Sequence, residues 1–306
     1  MAKIAVELER ALAQRARDGS PGRTHARTLA QGEGWIVQDV ICTSGPRDRP
    51  FEERHACVEI ALVAAGSFQY RSTAGSELMT PGSLLLGNPG QRFECAHAHG
   101  TGDRCLSFHY SPEYFEALAT DAGGRSARPE FCALRLPPLR GLSPLAARAC
   151  AGLAGAGHVA WEELALQLAA RAVRLAAGIS CAAGDPPASA VARVSRSVRA
   201  IEADPEGELS LARLARVAGL SPYHFLRSFV RLTGVTPHQY VLRTRLRAAA
   251  LRLLSEPAGA KVLDVALDSG FGDVSNFNRA FRTEFGVAPR AYRSGRGAPP
   301  GVATRL

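Results

Sequence analysis

Apolar and polar positions follow three successive rhythms along the chain. Residues 1–18 repeat at helical spacing with charges between them and predict a short amphipathic helix; residues 19–30 form a polar lead-in rich in Gly, Arg and Thr. Together they make an N-terminal segment, 1–33, to which the sequence assigns no role. From Gly34 to Tyr110 the apolar residues come in short runs separated by turn formers: WIVQDVIC before SGPRDRP, VEIALVAAG, SFQYRS before TAGSE, LLLG before NPGQ, and RCLSFHY after HGTGD. About six strands at such spacing, with no helical pattern between them, predict an antiparallel sandwich or barrel within 34–120, closed by a helical turn at Pro112–Thr120. Residues 143–178 are Ala/Leu-rich and broken at Gly152–Gly157, which predicts a helical hairpin over 141–180. Its apolar face pairs either with a second copy of the chain or with its own barrel. Residues 181–190 (CAAGDPPASA) read as a linker.

Beyond the linker the pattern is helical throughout, and it repeats. Phe225, Phe229, Gly234, Pro237 and Tyr240 recur as Phe277, Phe281, Gly286, Pro289 and Tyr292, always 52 residues later, and Ala215, Gly219 and Leu220 match Ala266, Gly270 and Phe271 at an offset of 51. In the first copy Leu211, Leu214, Ala215 and Ala218 share a helical face, Gly219 ends the helix, and Ser221-Pro222 supplies a capping hydroxyl and a first-turn proline for a second helix. In the second copy Val262, Leu263 and Ala266 are expected inward, with a cap at Asp273 before Val274–Phe285. Two short helices joined by a tight glycine-containing turn form a helix-turn-helix, whose second helix fits the major groove of DNA. With the phenylalanines inward, the opposite faces carry Tyr223, His224, Arg227, Ser228 and Arg231 in copy one, and Ser275, Asn276, Asn278, Arg279 and Arg282 in copy two. Arg pairs bidentately with guanine, Asn with adenine, and Ser serves either. Between the copies a helix from Pro237 to about Ser255 has Leu242, Leu246, Ala249 and Leu253 on one side, with Arg243, Arg245, Arg247 and Arg252 largely elsewhere. At 1.5 Å per residue it is roughly 28 Å long, near the ~34 Å between successive major-groove faces.

Charge supports this division. Residues 191–306 hold 18 Lys+Arg against 9 Asp+Glu, the whole of the chain's net +9, while residues 1–190 balance at 19 of each. A basic module beside a neutral one predicts that the C-terminal part meets a polyanion, double-stranded DNA in view of the motif. No stretch approaches the ~18–20 apolar residues of a membrane span, and the N-terminus lacks the apolar centre of a signal peptide, so a cytoplasmic, nucleoid-associated protein without a membrane partner is expected. The 7 cysteines are irregularly spaced, which argues against a disulfide framework.

Residues 191–294 resemble the tandem helix-turn-helix domain of the AraC/XylS transcription regulators, and VALDSGFGDVSNFNRAFRTEFGVAPRAYR follows that family's signature almost without gaps. The resemblance implies an α+β multidomain fold: an N-terminal cupin-like antiparallel β-barrel with a helical hairpin, then an all-α DNA-binding domain over 191–297 of two helix-turn-helix subdomains joined by a linker helix, and a tail over 298–306. It further implies promoter binding, usually with activation, RNA polymerase as a partner, and a barrel that senses an effector or mediates dimerisation.

Chemistry in the N-terminal half is sparser. The cupin metal pattern His-x-His-x3–4-Glu-x6-Gly is incomplete, since Glu53 stands where the first His belongs before His55, Glu59 and Gly66, and no His follows Gly75, Pro81 and Gly82. His55 and Glu59 are expected instead as hydrogen-bonded partners bordering an effector pocket. Cys95, His97, His99 and Cys105 form a denser cluster. Positions 95, 97 and 99 share a strand face, and a turn centred near Thr101 would set 97 opposite 105. Two readings stand: small buried thiols beside turn histidines, the commoner case, or a site for Zn²⁺ or another soft metal, with Cys95/Cys105 alternatively a redox pair. The remaining cysteines, Cys42, Cys57, Cys132, Cys150 and Cys181, read as fillers. An enzyme built on the β domain lacks a complete metal set, phosphate loop or nucleophile elbow, so a regulator is the expectation. A constitutive architectural DNA-binding protein is the remaining alternative.

Overall fold

A computed structural model describes residues 2–122, 130–156, 159–178, 185–255 and 261–294. Helix α1 (Ala2–Asp18) leads into strands β1 (Thr24–Gly32), β2 (Trp35–Cys42), β3 (Phe51–Arg54), β4 (Val58–Gly66), β5 (Phe68–Ser72), β6 (Gly75–Met79), β7 (Leu84–Gly87), β8 (Arg92–Ala96) and β9 (Asp103–Tyr110), then α2 (Pro112–Asp121) and the short β10 (Arg135–Leu136). The strands form two antiparallel sheets, β1-β2-β9-β4-β7-β10 and β3-β8-β5-β6. Nine helices follow among the described residues: α3 (Ser143–Leu153), α4 (Trp161–Ala176), α5 (Ala188–Ala203), α6 (Leu211–Ala218), α7 (Pro222–Thr233), α8 (Pro237–Ser255), α9 (Val262–Leu267), α10 (Val274–Phe285) and α11 (Pro289–Arg293).

Strand periodicity decides where the β body keeps its core and where its interior chemistry. Along β4, Ile60, Leu62 and Ala64 pack outward under the helices, while Ala61 and Val63 face the second sheet. Along β9, Leu106, Phe108 and Tyr110 join the helical side, whereas Asp103, Cys105, Ser107 and His109 face the space between the sheets. β4 is apolar on nearly every residue because both its faces are covered, whereas β9 alternates with polar residues that face the interior. Helices α1 and α4 supply that cover through Ile4, Leu8, Leu164, Leu168 and Ala172. The apolar face of the 143–178 hairpin thus lies on the chain's own β body, and the Tyr110 hydroxyl donates to Ala165 O at 2.8 Å across the junction.

Several segments depart from the sequence-based expectation. Residues 24–32, expected as a polar lead-in, pair with β2 from Thr24↔Cys42 to Gly32↔Trp35. As an edge strand, half of it faces solvent, so it lacks the apolar alternation that marks the inner strands. β10 likewise falls between the expected barrel, 34–120, and the expected hairpin, 141–180, where no strand was expected. Cys132, expected as a filler thiol, is disulfide-bonded, a pairing set by spatial proximity, on which irregular sequence spacing is silent. Part of the 181–190 linker and the whole 298–306 tail lie outside the described residues.

The linker helix α8 departs most. Its arginines were expected on an outer face, yet Arg247 is buried and Arg243 nearly so. Arg247 Nη2 reaches Glu202 Oε1 at 3.3 Å, an oxygen that also accepts from Tyr240 Oη at 3.1 Å and Thr244 Oγ1 at 3.2 Å. Burial pushes the Glu202 carboxyl above its ordinary value, against the pull of Arg247. The reason is that α8 is enclosed on most sides: Leu246, Ala249 and Leu253 pack with the second helix-turn-helix, Tyr240 and Val241 with the first, and Leu251 with the β-body core.

One short stretch, 135–143, ties the β body to both helical units. Arg135 holds Glu77 Oε2 at 2.9 Å and donates to Thr233 O, at the end of α7, at 2.9 Å. Gly234, the residue directly after Thr233, has φ +76°, and a Cβ there would stand 2.4 Å from Pro137 Cγ. Toward the second unit, Arg243 bridges Pro138 O (3.0 Å) and Glu284 Oε1 (3.2 Å), and the Ser143 hydroxyl donates to the same Glu284 oxygen. Both α7 and α10 therefore rest their C-terminal ends against 135–143.

Candidate functional site

The two helix-turn-helix units are built alike. α7 starts at the N-cap Ser221, whose side chain accepts from His224 N, with Pro222 in the first turn; α10 starts at Asp273, accepting from Asn276 N at 2.7 Å. Each N-cap side chain satisfies a backbone donor that the helix cannot pair internally. Both helices run 12 residues and end at a left-handed glycine, Gly234 or Gly286, whose amide donates at 2.8 Å to Val230 O or Arg282 O. Inward, Phe225 packs on Phe229, which meets Tyr240 edge-on, and Phe277 packs on Phe281, which meets Tyr292 edge-on.

The opposite faces are open. Tyr223, His224, Arg227 and Arg231 are exposed on α7, with Ser228 half-buried; Ser275, Asn276, Asn278, Arg279 and Arg282 are all exposed on α10. Tyr223 is 64% exposed, the most of any large hydrophobic side chain among the described residues, and Arg227 Cζ lies 5.8 Å from its ring centroid. Asp273 accepts from Asn276 Nδ2 at 3.0 Å, and Asn276 Oδ1 accepts from Arg279. This chain of side chains aligns a carboxamide and a guanidinium along one ridge. The turn helices α6 and α9 show a register different from that expected: Leu211 and Leu263 are 39% and 45% exposed, and Val265 is buried in Leu263's place.

A second feature lies between the two sheets, a cavity of about 230 Å³ lined among others by Val40, Cys42, His55, Glu59, Phe93, Cys95, His97, Asp103, Cys105 and His109. One end is organised by Glu59, which accepts from His55 Nδ1 at 2.8 Å and from the Ser107 hydroxyl, while His55 Nε2 meets Tyr70 Oη at 2.8 Å. Burial works to raise the Glu59 carboxyl, but His55, His109 and Ser107 hold it below its ordinary value, so it stays a carboxylate. At the other end Asp103 accepts from His97 Nε2 at 2.6 Å and from Cys105 Sγ at 3.2 Å, with Cys42 beside them. Desolvation opposes charge on His97, yet Asp103 and Cys42 raise it to about 9; burial likewise raises the Cys42 thiol, and His97 brings it below its ordinary value. Gly87 leaves the room for His55: a Cβ there would sit 2.4 Å from His55 Nε2. Gly87→Ala is expected to drive the ring off Glu59 and to lower stability by about 1–3 kcal/mol, measured as a shifted urea midpoint at unchanged slope.

Two families match this chain: an AraC-like ligand binding domain over residues 38–171, and a helix-turn-helix domain over residues 214–295. Residues 38–171 and 214–295 are thus similar to the two domains of AraC-type regulators. Among curated relatives, the HTH-type transcriptional regulator MtrA of Neisseria gonorrhoeae is 32% identical over 101 residues, 33% of each chain. The HTH-type transcriptional activator RhaS of Enterobacter sp. is 40% identical over 91 residues, 30% of this chain and 32% of that one. The alignments span about a third of the length of these relatives. Among solved structures, an AraC-type regulator from Chromobacterium violaceum is 28% identical over 35% of this chain and 94% of that one, with a TM-score of 0.32. ToxT of Vibrio cholerae O395 is 14% identical over 86% of this chain and 98% of that one, with a TM-score of 0.36.

Within this chain the proposed Cys/His cluster assembles differently from the sequence-based expectation. β8 does not form a hairpin with β9. It pairs with β3 and β5, setting Cys95 opposite Phe51 and Tyr70, while β9 pairs with β2 and β4, setting Cys105 opposite Val40 and Val63. Residues 97–102 cross from one sheet to the other, so Cys95, His97 and Cys105 converge through the interior of the β body rather than along one ribbon. His99 does not join them; it points with Ala98 toward Val191 and Ser195 of α5. The members that sequence reasoning missed are Cys42 and Asp103, together with Tyr70, Ser107 and His109 at the other end. The alternation in DRCLSFHY, with Asp103, Cys105, Ser107 and His109 at even spacing, was the available signal for the β9 set.

Proposed function

We propose that this chain is a sequence-specific, double-stranded-DNA-binding transcriptional regulator, an activator by analogy with the name of its RhaS relative, in which α7 and α10 enter successive major-groove segments and the β body takes an effector. The observation that carries the reading is the duplicated recognition helix: two 12-residue helices, capped alike, with phenylalanines buried and Arg, Asn, Ser and Tyr on the open face. Helix α8, about 28 Å long at 1.5 Å per residue, separates them by near one turn of duplex. Family precedent adds RNA polymerase as a further partner and a second copy of the chain as a candidate one.

The β-body cavity supports an effector role because it lies between the two sheets, apolar over most of its surface and polar at both ends, the general form of a small-ligand site. The contacts of 135–143 with Thr233, Gly234, Arg243 and Glu284 give the β body a mechanical hold on both reading heads.

Selection of bound sites from random duplex DNA, followed by gel shift at several salt concentrations, tests the proposal. Arg279→Ala is expected to relax preference at one base position by about 1–3 kcal/mol while leaving other positions unchanged. Salt-sensitive binding with no sequence preference would replace the regulator by an architectural protein, and no binding at all would remove both.

A further inference from the structure

The polar end of the cavity formed by Cys42, His97 and Asp103 is a donor set without a stated purpose. One ligand atom from each of the three side chains lies within 4.8 Å of the others, and all three residues are buried. They come from different places in the chain: Cys42 ends β2, Asp103 opens β9 opposite it, and His97 follows β8 in the other sheet. The His97 side chain is 1% exposed; its Nε2 is held by Asp103, while its Nδ1 has no hydrogen-bond partner. We infer that Cys42, His97 and Asp103 form a binding site for a thiophilic divalent metal ion of the Zn²⁺ type, and that its occupancy is the signal the β body passes to the DNA-binding domain.

Thiolate, imidazole and carboxylate are the donors such an ion prefers. A thiolate and a carboxylate neutralise its two charges, which suits a site away from water. Binding takes the place of the proton shared by His97 Nε2 and Asp103, so that Nε2, a carboxylate oxygen and the Cys42 thiolate would meet one ion. Three protein donors leave one tetrahedral position toward the cavity, with Cys105 Sγ 3.2 Å from Asp103 Oδ2 beside it. The site lies at the opposite end of the cavity from His55 and Glu59, the positions of the incomplete cupin pattern.

The link to DNA binding follows from the loop that two of the ligands bracket. Between His97 and Asp103, Ala98 and His99 lie against Val191 and Ser195 of α5, and a Cβ on Gly100 would stand 3.3 Å from Arg199 Nη1. α5 in turn carries Val191, Val194, Val198 and Ile201 into the core of the first helix-turn-helix unit. An ion joining His97 and Asp103 to Cys42 closes the base of this loop and restrains its seat on α5. This second step rests on the proposed DNA-binding role; the site itself does not.

The two parts are tested separately on the full chain. After removal of metal by a chelator, incubation with Zn²⁺ or Co²⁺ and desalting, about one equivalent should be retained per chain, and the Co²⁺ form should show a thiolate-to-metal charge-transfer band. Cys42→Ser and Asp103→Asn should lose both, while Cys57→Ser, near His109 at the other end, keeps both. Thermal unfolding with and without Zn²⁺ guards against misfolded variants: the midpoint should rise in the wild type and in Cys57→Ser only. A folded wild type that retains no metal, or variants that retain it equally, overturns the site. For the second part, Zn²⁺ should change wild-type affinity for a selected DNA site several-fold and leave Cys42→Ser unaffected. Unchanged affinity with metal bound overturns the coupling alone, whereas failure to bind any DNA counts against the proposed function and leaves the metal result standing.

Discussion

Arg104→Ala is expected to lower the stability of the β body by about 3–5 kcal/mol, because it strips a buried carboxylate of its main partner. Arg104 is 1% exposed and holds Asp39 through Nε and Nη2, both at 2.8 Å, while Nη1 donates to Ile4 O and so pins α1 to the sheet. Burial works to raise the Asp39 carboxyl, but Arg104 and then Arg27 hold it below its ordinary value. In the wild type the stability from this pair is therefore present above the unfolded carboxylate range and lost as pH falls through the lowered folded value. In the variant, burial dominates and Asp39 is raised, so lowering pH relieves its penalty. Urea unfolding at several pH values should show the gap between the two proteins narrowing toward acid. Adding Asp39→Leu to Arg104→Met should recover much of the loss, since replacing both members of a buried pair by apolar groups is often nearly neutral. A pH-independent gap, or a double variant as unstable as the single, would contradict this account.

Phe281→Ala should cost about 3–5 kcal/mol in the second helix-turn-helix unit. The ring is fully buried and meets Phe277, Phe285 and Tyr292 at centroid distances of 5.4, 4.4 and 5.3 Å. Removing it leaves a void in a small core made by three short helices, α9, α10 and α11, and the end of α8. On DNA the expected result is one-sided: footprinting should lose protection over the half-site read by α10 and keep that read by α7. The equivalent Phe229→Ala should give the mirrored pattern. Equal loss of both half-sites from either variant would show that the two units fold as one body through α8 and 135–143.

Much of the C-terminal half was legible because its determinants are local. A capping Ser or Asp, phenylalanines four apart, a glycine at the helix end and a repeat at offset 52 each act within a few residues, and α7, α8 and α10 lie where those signals put them. The failures fall where local pattern is ambiguous. α6 and α9 are only 8 and 6 residues long and carry apolar residues on more than one face, so Leu211 and Leu263 were assigned inward although packing left them exposed. α8 looked amphipathic, with arginines for solvent, until Glu202 of α5, Glu284 of α10 and Pro138 O of the 135–143 stretch closed over it as partners.

The β body divides along the same line. Inner strands such as β2, β4 and β9 announce themselves because burial demands apolar residues, whereas β1, β3, β6 and β8 are edge or half-exposed strands whose polar residues resemble loops. Sequence alone determined the presence of a β body, the tandem helical units, the side chains on their open faces and the concentration of positive charge beside them. Tertiary structure alone decided that β8 and β9 belong to different sheets, that Cys42 and Asp103 rather than His99 join His97, and that 135–143 grips both units. Helix caps and periodicity are encoded by neighbours in the chain; which strands pair, and which side chains meet inside a barrel, depends on contacts between residues tens of positions apart, for which no short-range pattern exists.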